Sequence, residues 1–135
     1  MRLMMFMYPE IDEPDWNPSP EEVVAMGRYN EELRKAGMLL ALDGLRPPGD
    51  GATVSFRDGD VTVTDGPFTE AKEVVGGYAI FDVPSKAHMI SVSERFMALH
   101  KTHMPGWEGE CELRQMAAPG EPEPCGQPRE TEAAV

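Results

Sequence analysis

Charged and aromatic side chains cluster in the centre of the sequence, at spacings that could form a binding site. Asp65 could accept a proton or anchor a hydrogen bond, and Lys72 could pair with an anion. Phe68 and Tyr78 could wall an apolar pocket beside them, with Glu70 at its lip. The candidate ligand-binding residues are therefore Asp65, Gly66, Pro67, Phe68, Glu70, Lys72 and Tyr78, and Asp65 is the candidate catalytic residue.

The same residues also have a structural interpretation. Gly66 tolerates a positive φ, and Pro67 fixes its own φ and removes a backbone donor, so the run ends a strand. Asp65 could then hold the turn by accepting hydrogen bonds from nearby backbone N–H groups, while Glu70 and Lys72 stay solvated. Asp-Gly-Pro breaks usually have structural causes, which favours this second interpretation.

Three histidines raise the possibility of a metal site. His100 and His103 would share one helix face, and Glu110 or Cys111 could add a ligand. Zinc needs three or four converging ligands, however, and Pro105 ends the helix directly after the pair. We therefore interpret these histidines and His88 as surface or helix-end residues and predict no metal.

No cofactor is predicted either. The 10 methionines fall on apolar stripes, which indicates core filling rather than copper binding or a flexible binding surface. The pair Gly76-Gly77 lacks the context of a phosphate-binding loop. Trp107 is expected to be a packing anchor beside the last strand.

Strand and helix signals alternate along the chain. Strands are expected at 2–8, 38–45, 75–83 and 110–116, with a hairpin between the second and third, and helices at 20–36 and 86–100. Ser19 caps the first helix, Glu22 completes a capping box, and Gly37 closes it. The predicted inner stripes are Val23, Met26, Leu33 and Ala36 with Tyr29 or Asn30 in the first helix, and Met89, Val92, Phe96 and Leu99 in the second, which Ser85 caps.

The hairpin has one favourable register. With Asp58-Gly59 as a type I′ turn, Phe56 lies opposite Val61, and Val54 lies opposite Val63. All four apolar side chains then share one face, so we expect this face to pack down and the other to face water.

The element order, β-α-β, hairpin, β-α-β, predicts an α+β ferredoxin-like sandwich: an antiparallel sheet with two helices on one face. The strands at 2–8, 38–45 and 75–83 are apolar on both faces. A second copy of the chain is the expected cover for the free face, so the patterning predicts a homodimer formed through that face.

Composition limits the classes of protein. A chain of 135 residues with a net charge of −12 argues against nucleic-acid binding, which requires clustered Lys and Arg. No apolar stretch reaches the length of a membrane span, and no signal peptide is visible, so we expect a cytoplasmic protein with no membrane partner.

Cys111 and Cys125 are expected to be free thiols. The domain is predicted to cover 1–116, and the acidic, proline-rich segment 117–135 to be a disordered tail.

The run from Thr64 to Tyr78 resembles the DGPF proteins, a branch of the YCII-related family. The likeness extends over roughly residues 2–116. Further pieces are the Tyr-Pro at 8–9, the stretch 31–37, the Gly-Leu-Arg-Pro-Pro at 44–48, and the Pro-Gly-Trp-Glu-Gly at 105–109 with the Glu-Leu-Arg at 112–114. This order and spacing are specific to the family.

The resemblance implies a fold similar to the dimeric α+β barrels. It also implies a module of unsettled role that binds a small molecule or has a regulatory function, for example as the companion of an extracytoplasmic-function sigma factor. The alternative is a small enzyme that acts on a cyclic organic substrate with Asp65 as general acid or base. The YCII branch is associated with a His/Asp pair, and the position of that histidine corresponds to Met26 here, which cannot transfer a proton.

Overall fold

The computed structural model describes residues 1–9, 18–46, 48–65, 75–104 and 106–121. The strands are β1 (Arg2–Pro9), β2 (Leu39–Gly44), β3 (Ala52–Arg57), β4 (Asp60–Asp65), β5 (Gly77–Asp82) and β6 (Gly109–Gln115), and the helices are α1 (Pro20–Lys35) and α2 (Lys86–His103). A short 3₁₀ turn, Pro48–Asp50, precedes β3.

Four strands form one antiparallel sheet in the order β2-β5-β1-β6. Both helices pack on one face of this sheet, and the core between them contains the buried apolar residues Leu3, Met5, Tyr29, Leu33, Leu39, Ala79, Phe81, Val83, Met89 and Val92. This is the ferredoxin-like α+β architecture that the element order predicts.

The opposite face of the sheet, which we call the open face, has no described helix over it. Strand alternation places Met4 and Phe6 of β1 and Tyr78 and Ile80 of β5 on this face, and all four are half-buried. On β6, by contrast, the residues that share this face are charged: Glu110, Glu112 and Arg114 are all exposed. The open face is therefore apolar along its middle strands and charged at the β6 edge.

The helix caps form as predicted, but the stripe of α1 differs. The Oγ atoms of Ser19 and Ser85 accept hydrogen bonds from the backbone N–H groups of Glu22 and His88, at 3.1 Å each. Gly37 follows α1 with φ 74°, as a helix-closing glycine should.

The buried residues of α1 are Glu22, Tyr29 and Leu33, whereas Val23 and Ala36 are exposed. The predicted apolar stripe was therefore wrong at its two ends. Of the predicted capping box, the bond from the backbone N–H of Glu22 to Ser19 forms. The carboxylate of Glu22 is buried instead, with Oε1 3.8 Å from Nε2 of His100 and Oε2 without a hydrogen-bond partner among the described residues.

The hairpin has the predicted register but not the predicted packing. Phe56 pairs with Val61, Val54 pairs with Val63, and the turn residues Asp58 and Gly59 have φ 53° and 82°. The strands form a separate two-stranded sheet. Its apolar face is 66–73% exposed at all four residues, so the expectation that this face packs down was wrong.

Candidate functional site

The predicted site lies mainly outside the described residues. Gly66, Pro67, Phe68, Glu70 and Lys72 all lie there, and so does the side chain of Asp65. The backbone of Asp65 is described: it is the last residue of β4 and pairs with Ala52. Tyr78 is the predicted site residue whose side chain the structure describes.

Tyr78 forms a hydrogen-bonded pair with a carboxylate on the open face. Its hydroxyl donates to Oδ2 of Asp43 at 2.8 Å, and the two residues are directly opposite each other on β5 and β2. The hydrogen bond to Asp43 raises the pKa of Tyr78, and the negative charge of Asp43 and desolvation act in the same direction. The phenol is therefore held neutral, with a second oxygen of Asp43 available as an acceptor.

The glycine pair before Tyr78 allows this arrangement. A Cβ on Gly77 would lie 3.0 Å from the backbone oxygen of Asp43, and a Cβ on Gly76 would lie 2.9 Å from the ring of Pro9. The N–H of Gly76 also donates to the oxygen of Met7 at 2.7 Å. Close approach of three chain segments, rather than a special φ, thus requires glycine at both positions.

A second polar cluster, which the sequence did not predict, lies between the two helices. His100 of α2 is 5% exposed, and Glu22 of α1 is 2% exposed. The Nδ1 of His100 lies 3.1 Å from the carbonyl oxygen of Phe96, and this nitrogen donates because a carbonyl oxygen can only accept. Its Nε2 lies 3.8 Å from Oε1 of Glu22, which is longer than a direct hydrogen bond.

Aromatic rings enclose His100 on its remaining sides. The ring of Trp107 lies 4.4 Å from the imidazole between centroids, and that of Phe96 lies 4.6 Å away. Two buried polar atoms of this cluster have no hydrogen-bond partner among the described residues, Oε2 of Glu22 and Nε1 of Trp107. Orphaned buried atoms of this kind mark a place that a polar partner would stabilise.

A surface cleft of about 480 Å³ lies against the outer side of Trp107. Its lining is mixed, with the charged residues Lys101, Glu108 and Glu110 beside Met97, Met104 and Trp107. Trp107 thus both lines the cleft and contacts the imidazole of His100. His100 does lie at the helix end, in the last turn of α2, but it is not a surface residue, because its side chain is buried.

Helical spacing could have identified Glu22 as buried. Glu22, Met26, Tyr29 and Leu33 follow one another at intervals of four, three and four residues, which places them on one helix face. Glu22 is buried with Leu33 and Tyr29, and Met26 is half-buried. No sequence signal pairs Glu22 with His100, because their contact depends on how α1 and α2 pack together.

The described residues contain no group of three or more His, Cys, Asp or Glu side chains that could hold a metal ion. None of the described helices is long and apolar enough to cross a membrane.

The family model of the YCII-related domain matches residues 1–99. This range includes three strands of the four-stranded sheet, β1, β2 and β5, together with α1, the hairpin and most of α2. No curated protein matches the chain. Because the matched residues make up well over half of the sequence, the chain belongs to the YCII-related family.

Proposed function

We propose that this protein is a homodimeric small-molecule-binding module, whose two copies associate through their open faces. One observation carries the proposal: the middle of the open face is apolar although no described helix packs over it. Met4, Phe6 and Ile80 lie together there, and β2 adds Ala41 in register with Ile80. A continuous apolar surface of this kind is stabilised when a partner removes it from water.

A second copy of the chain fits this surface better than an unrelated partner. A twofold axis through the open face would place each apolar strip on its own equivalent and leave the charged β6 edges at the rim. Glu112 and Arg114 of that edge lie 3.7 Å apart and partly neutralise each other. The interface would then have an apolar centre and a polar border, as stable interfaces do.

The pair of Tyr78 and Asp43 supports a binding role for the same region. It places a neutral phenol and a carboxylate beside the apolar strip, close to the end of the Thr64–Tyr78 run. A ligand with a ring or other apolar body and a hydrogen-bond donor would match these groups. The run also supports assignment of the chain to the DGPF branch, with a regulatory use of the bound ligand.

Assembly is tested with light scattering at micromolar concentration. We expect twice the monomer mass for the wild-type chain and the monomer mass for Phe6→Asp, because a charge at the centre of the interface would be buried without a partner. Ile90→Asp is the matched control, since Ile90 is 41% exposed on the helix side. A folded wild-type monomer, or a Phe6→Asp dimer, would refute the proposed interface.

Ligand binding is tested by a thermal-shift screen of small organic molecules. A hit that stabilises the wild-type protein should bind at least about 10-fold more weakly to Tyr78→Phe, which loses one hydrogen bond and keeps the ring. Equal affinity in Tyr78→Phe and Asp43→Asn would remove this pair from the site. Dimerisation would be unaffected by that outcome, so the two parts of the proposal are tested separately.

The competing function is a small enzyme. The buried carboxylate–imidazole pair of Glu22 and His100 favours it, because such pairs serve as acid–base groups in many enzymes. Enclosure by Phe96 and Trp107 argues against it, since a substrate would have to displace an aromatic ring to reach the imidazole. Turnover of a screened ligand that survives in Asp65→Asn but is lost in His100→Gln would favour the enzyme with His100 in place of Asp65.

A further inference from the structure

On the helix-facing side of the sheet, the sulfur atom of Cys111 lies close to two other sulfur atoms, and the three residues belong to two strands and a helix. The Sγ of Cys111 on β6 lies 3.8 Å from the Sδ of Met7 on β1 and 3.7 Å from the Sδ of Met97 on α2. Met7 and Cys111 are direct cross-strand partners, so the register of the sheet fixes their separation. Met97 reaches them from the helix that covers this edge.

The two separations from Cys111 match those between the sulfur ligands of one metal ion. Three sulfurs around an ion with bonds of about 2.3 Å would lie about 3.8–4.0 Å from one another, depending on whether the arrangement is tetrahedral or trigonal. The two measured separations, 3.7 and 3.8 Å, agree with this geometry. An ion could therefore bind with small side-chain adjustments and no movement of the backbone.

The identity of the ligands selects the ion. A thiolate with two thioethers is a soft donor set, which prefers Cu(I) over the harder divalent ions. Zn²⁺ also binds thiolates, but it takes its other ligands from Cys, His and carboxylate groups, and the part of the chain that the structure describes has no cluster of three or more of these. The site lies away from the open face and shares no residue with the proposed ligand site.

A metal ion would have to displace a proton at this site. Burial raises the pKa of the Cys111 thiol to about 11, so at neutral pH the thiol keeps its proton until an ion takes its place. Met97 also lines the cleft of about 480 Å³ beside Met104, so one of the three proposed ligands borders that cleft.

We propose that Cys111, Met7 and Met97 form a binding site for a soft monovalent metal ion, Cu(I). On binding, the S–H bond of Cys111 breaks, its proton goes to solvent, and a metal–thiolate bond forms while the two thioethers donate lone pairs. The oxidation state of the metal does not change. The site would bind or buffer Cu(I).

The test uses Ag(I), which has the same charge and ligand preference as Cu(I) and does not undergo redox chemistry in air. The protein is the full chain with Cys125→Ser, which leaves Cys111 as the single thiol. Native mass spectrometry should show one Ag(I) per chain, and titration in weak buffer should release about one proton per ion. X-ray absorption of the Cu(I)-loaded chain should show three sulfur ligands at about 2.3 Å.

Conservative variants locate the site. Met7→Leu and Met97→Leu keep side-chain volume, so the fold should be retained while the affinity for Ag(I) falls at least about 10-fold in each. Cys111→Ser should abolish stoichiometric binding. Met38→Leu is the matched control: it removes a thioether that contacts Nε2 of His88 at 3.2 Å elsewhere in the molecule, and should leave the affinity unchanged.

Two outcomes would overturn the proposal. Unchanged affinity in both Met7→Leu and Met97→Leu would mean that Ag(I) binds to the thiol of Cys111 alone. Stoichiometric binding that survives Cys111→Ser, or that is lost in Met38→Leu, would place the ion at another site.

Discussion

Glu22 and His100 face each other between the two helices with 3.8 Å between carboxylate and imidazole, and both side chains are almost fully buried. The contact joins the first turn of α1 to the last turn of α2. Because buried polar groups are costly when they lose their partner, this pair couples the positions of the two helices.

Removal of one of these two side chains should therefore lower the free energy of unfolding more than removal of both. We expect Glu22→Ala to lower the free energy of unfolding by roughly 3 kcal/mol, since it leaves His100 buried without its partner. The double variant Glu22→Met, His100→Leu should be destabilised by less than either of its own single variants, Glu22→Met and His100→Leu. Urea unfolding of all variants measures the coupling, and additive effects would mean that the two side chains do not interact.

Substitution of alanine for glycine should lower the free energy of unfolding at position 77 and raise it at position 27. In Gly77→Ala the new Cβ would lie 3.0 Å from the oxygen of Asp43, so we expect a loss of about 1 kcal/mol or more. In Gly27→Ala the new Cβ meets no atom within 4 Å and improves helix propensity, so we expect a gain of about 0.5–1 kcal/mol.

Thermal unfolding of the two variants beside the wild type gives the comparison. If Gly77→Ala has the stability of the wild type, β2 and β5 can move apart at this point without destabilising the fold.

Stability should fall as pH rises from about 9 to 11. Burial raises the pKa of Cys111 from 9.0 to about 11, so within this window the unfolded chain has lost the thiol proton while the folded chain retains it. Burial likewise raises the pKa of Tyr29, whose hydroxyl donates to the oxygen of Val92 at 2.9 Å. The loss of stability should therefore continue above pH 10, as the tyrosine of the unfolded chain loses its proton.

Chemical unfolding at several pH values measures this slope in the Cys125→Ser background. Cys111→Ser should flatten it between pH 9 and 11. An equal slope with and without Cys111 would mean that the thiol has the same pKa in both states.

The hairpin should tolerate polar substitution in the isolated chain. Phe56 is 73% exposed, so Phe56→Ser should change the stability by no more than about 0.5 kcal/mol. Phe81→Ala is the contrasting variant, because Phe81 is 4% exposed and its loss should cost about 3–5 kcal/mol. A loss of more than about 1 kcal/mol in Phe56→Ser would reveal that another surface covers the hairpin.

Local signals in the sequence predicted the elements well. Ser19, Ser85 and Gly37 fixed the helix ends, and the Asp-Gly turn fixed the hairpin register to the residue. These features depend on a few neighbouring residues, so the sequence contains the information directly. The element order likewise predicted an antiparallel sheet with two helices on one face.

Contacts between distant residues could not be predicted in the same way. The burial of His100 depends on Glu22 and Trp107, and the pair of Tyr78 and Asp43 depends on the register of β2 against β5. The predicted packing of the hairpin was wrong for the same reason. An amphipathic pattern shows which face of a hairpin is apolar, but it does not show which surface lies opposite that face. The predicted site at 65–72 stays a prediction, because only the backbone of Asp65 is described there.

The hairpin between β2 and β5 also bears on how the sheet assembles. β2 and β5 pair with each other, yet Gly44 and Gly77 are separated by the whole segment that contains β3 and β4. The conformational entropy lost on loop closure grows with the number of unconstrained residues, and a hairpin with a two-residue turn forms early from local contacts. Once β3 and β4 have paired, Ala52 and Asp65 lie side by side, so the hairpin shortens the effective loop that β2 and β5 must close. The insertion thereby reduces the entropic barrier that its own length would otherwise impose on folding.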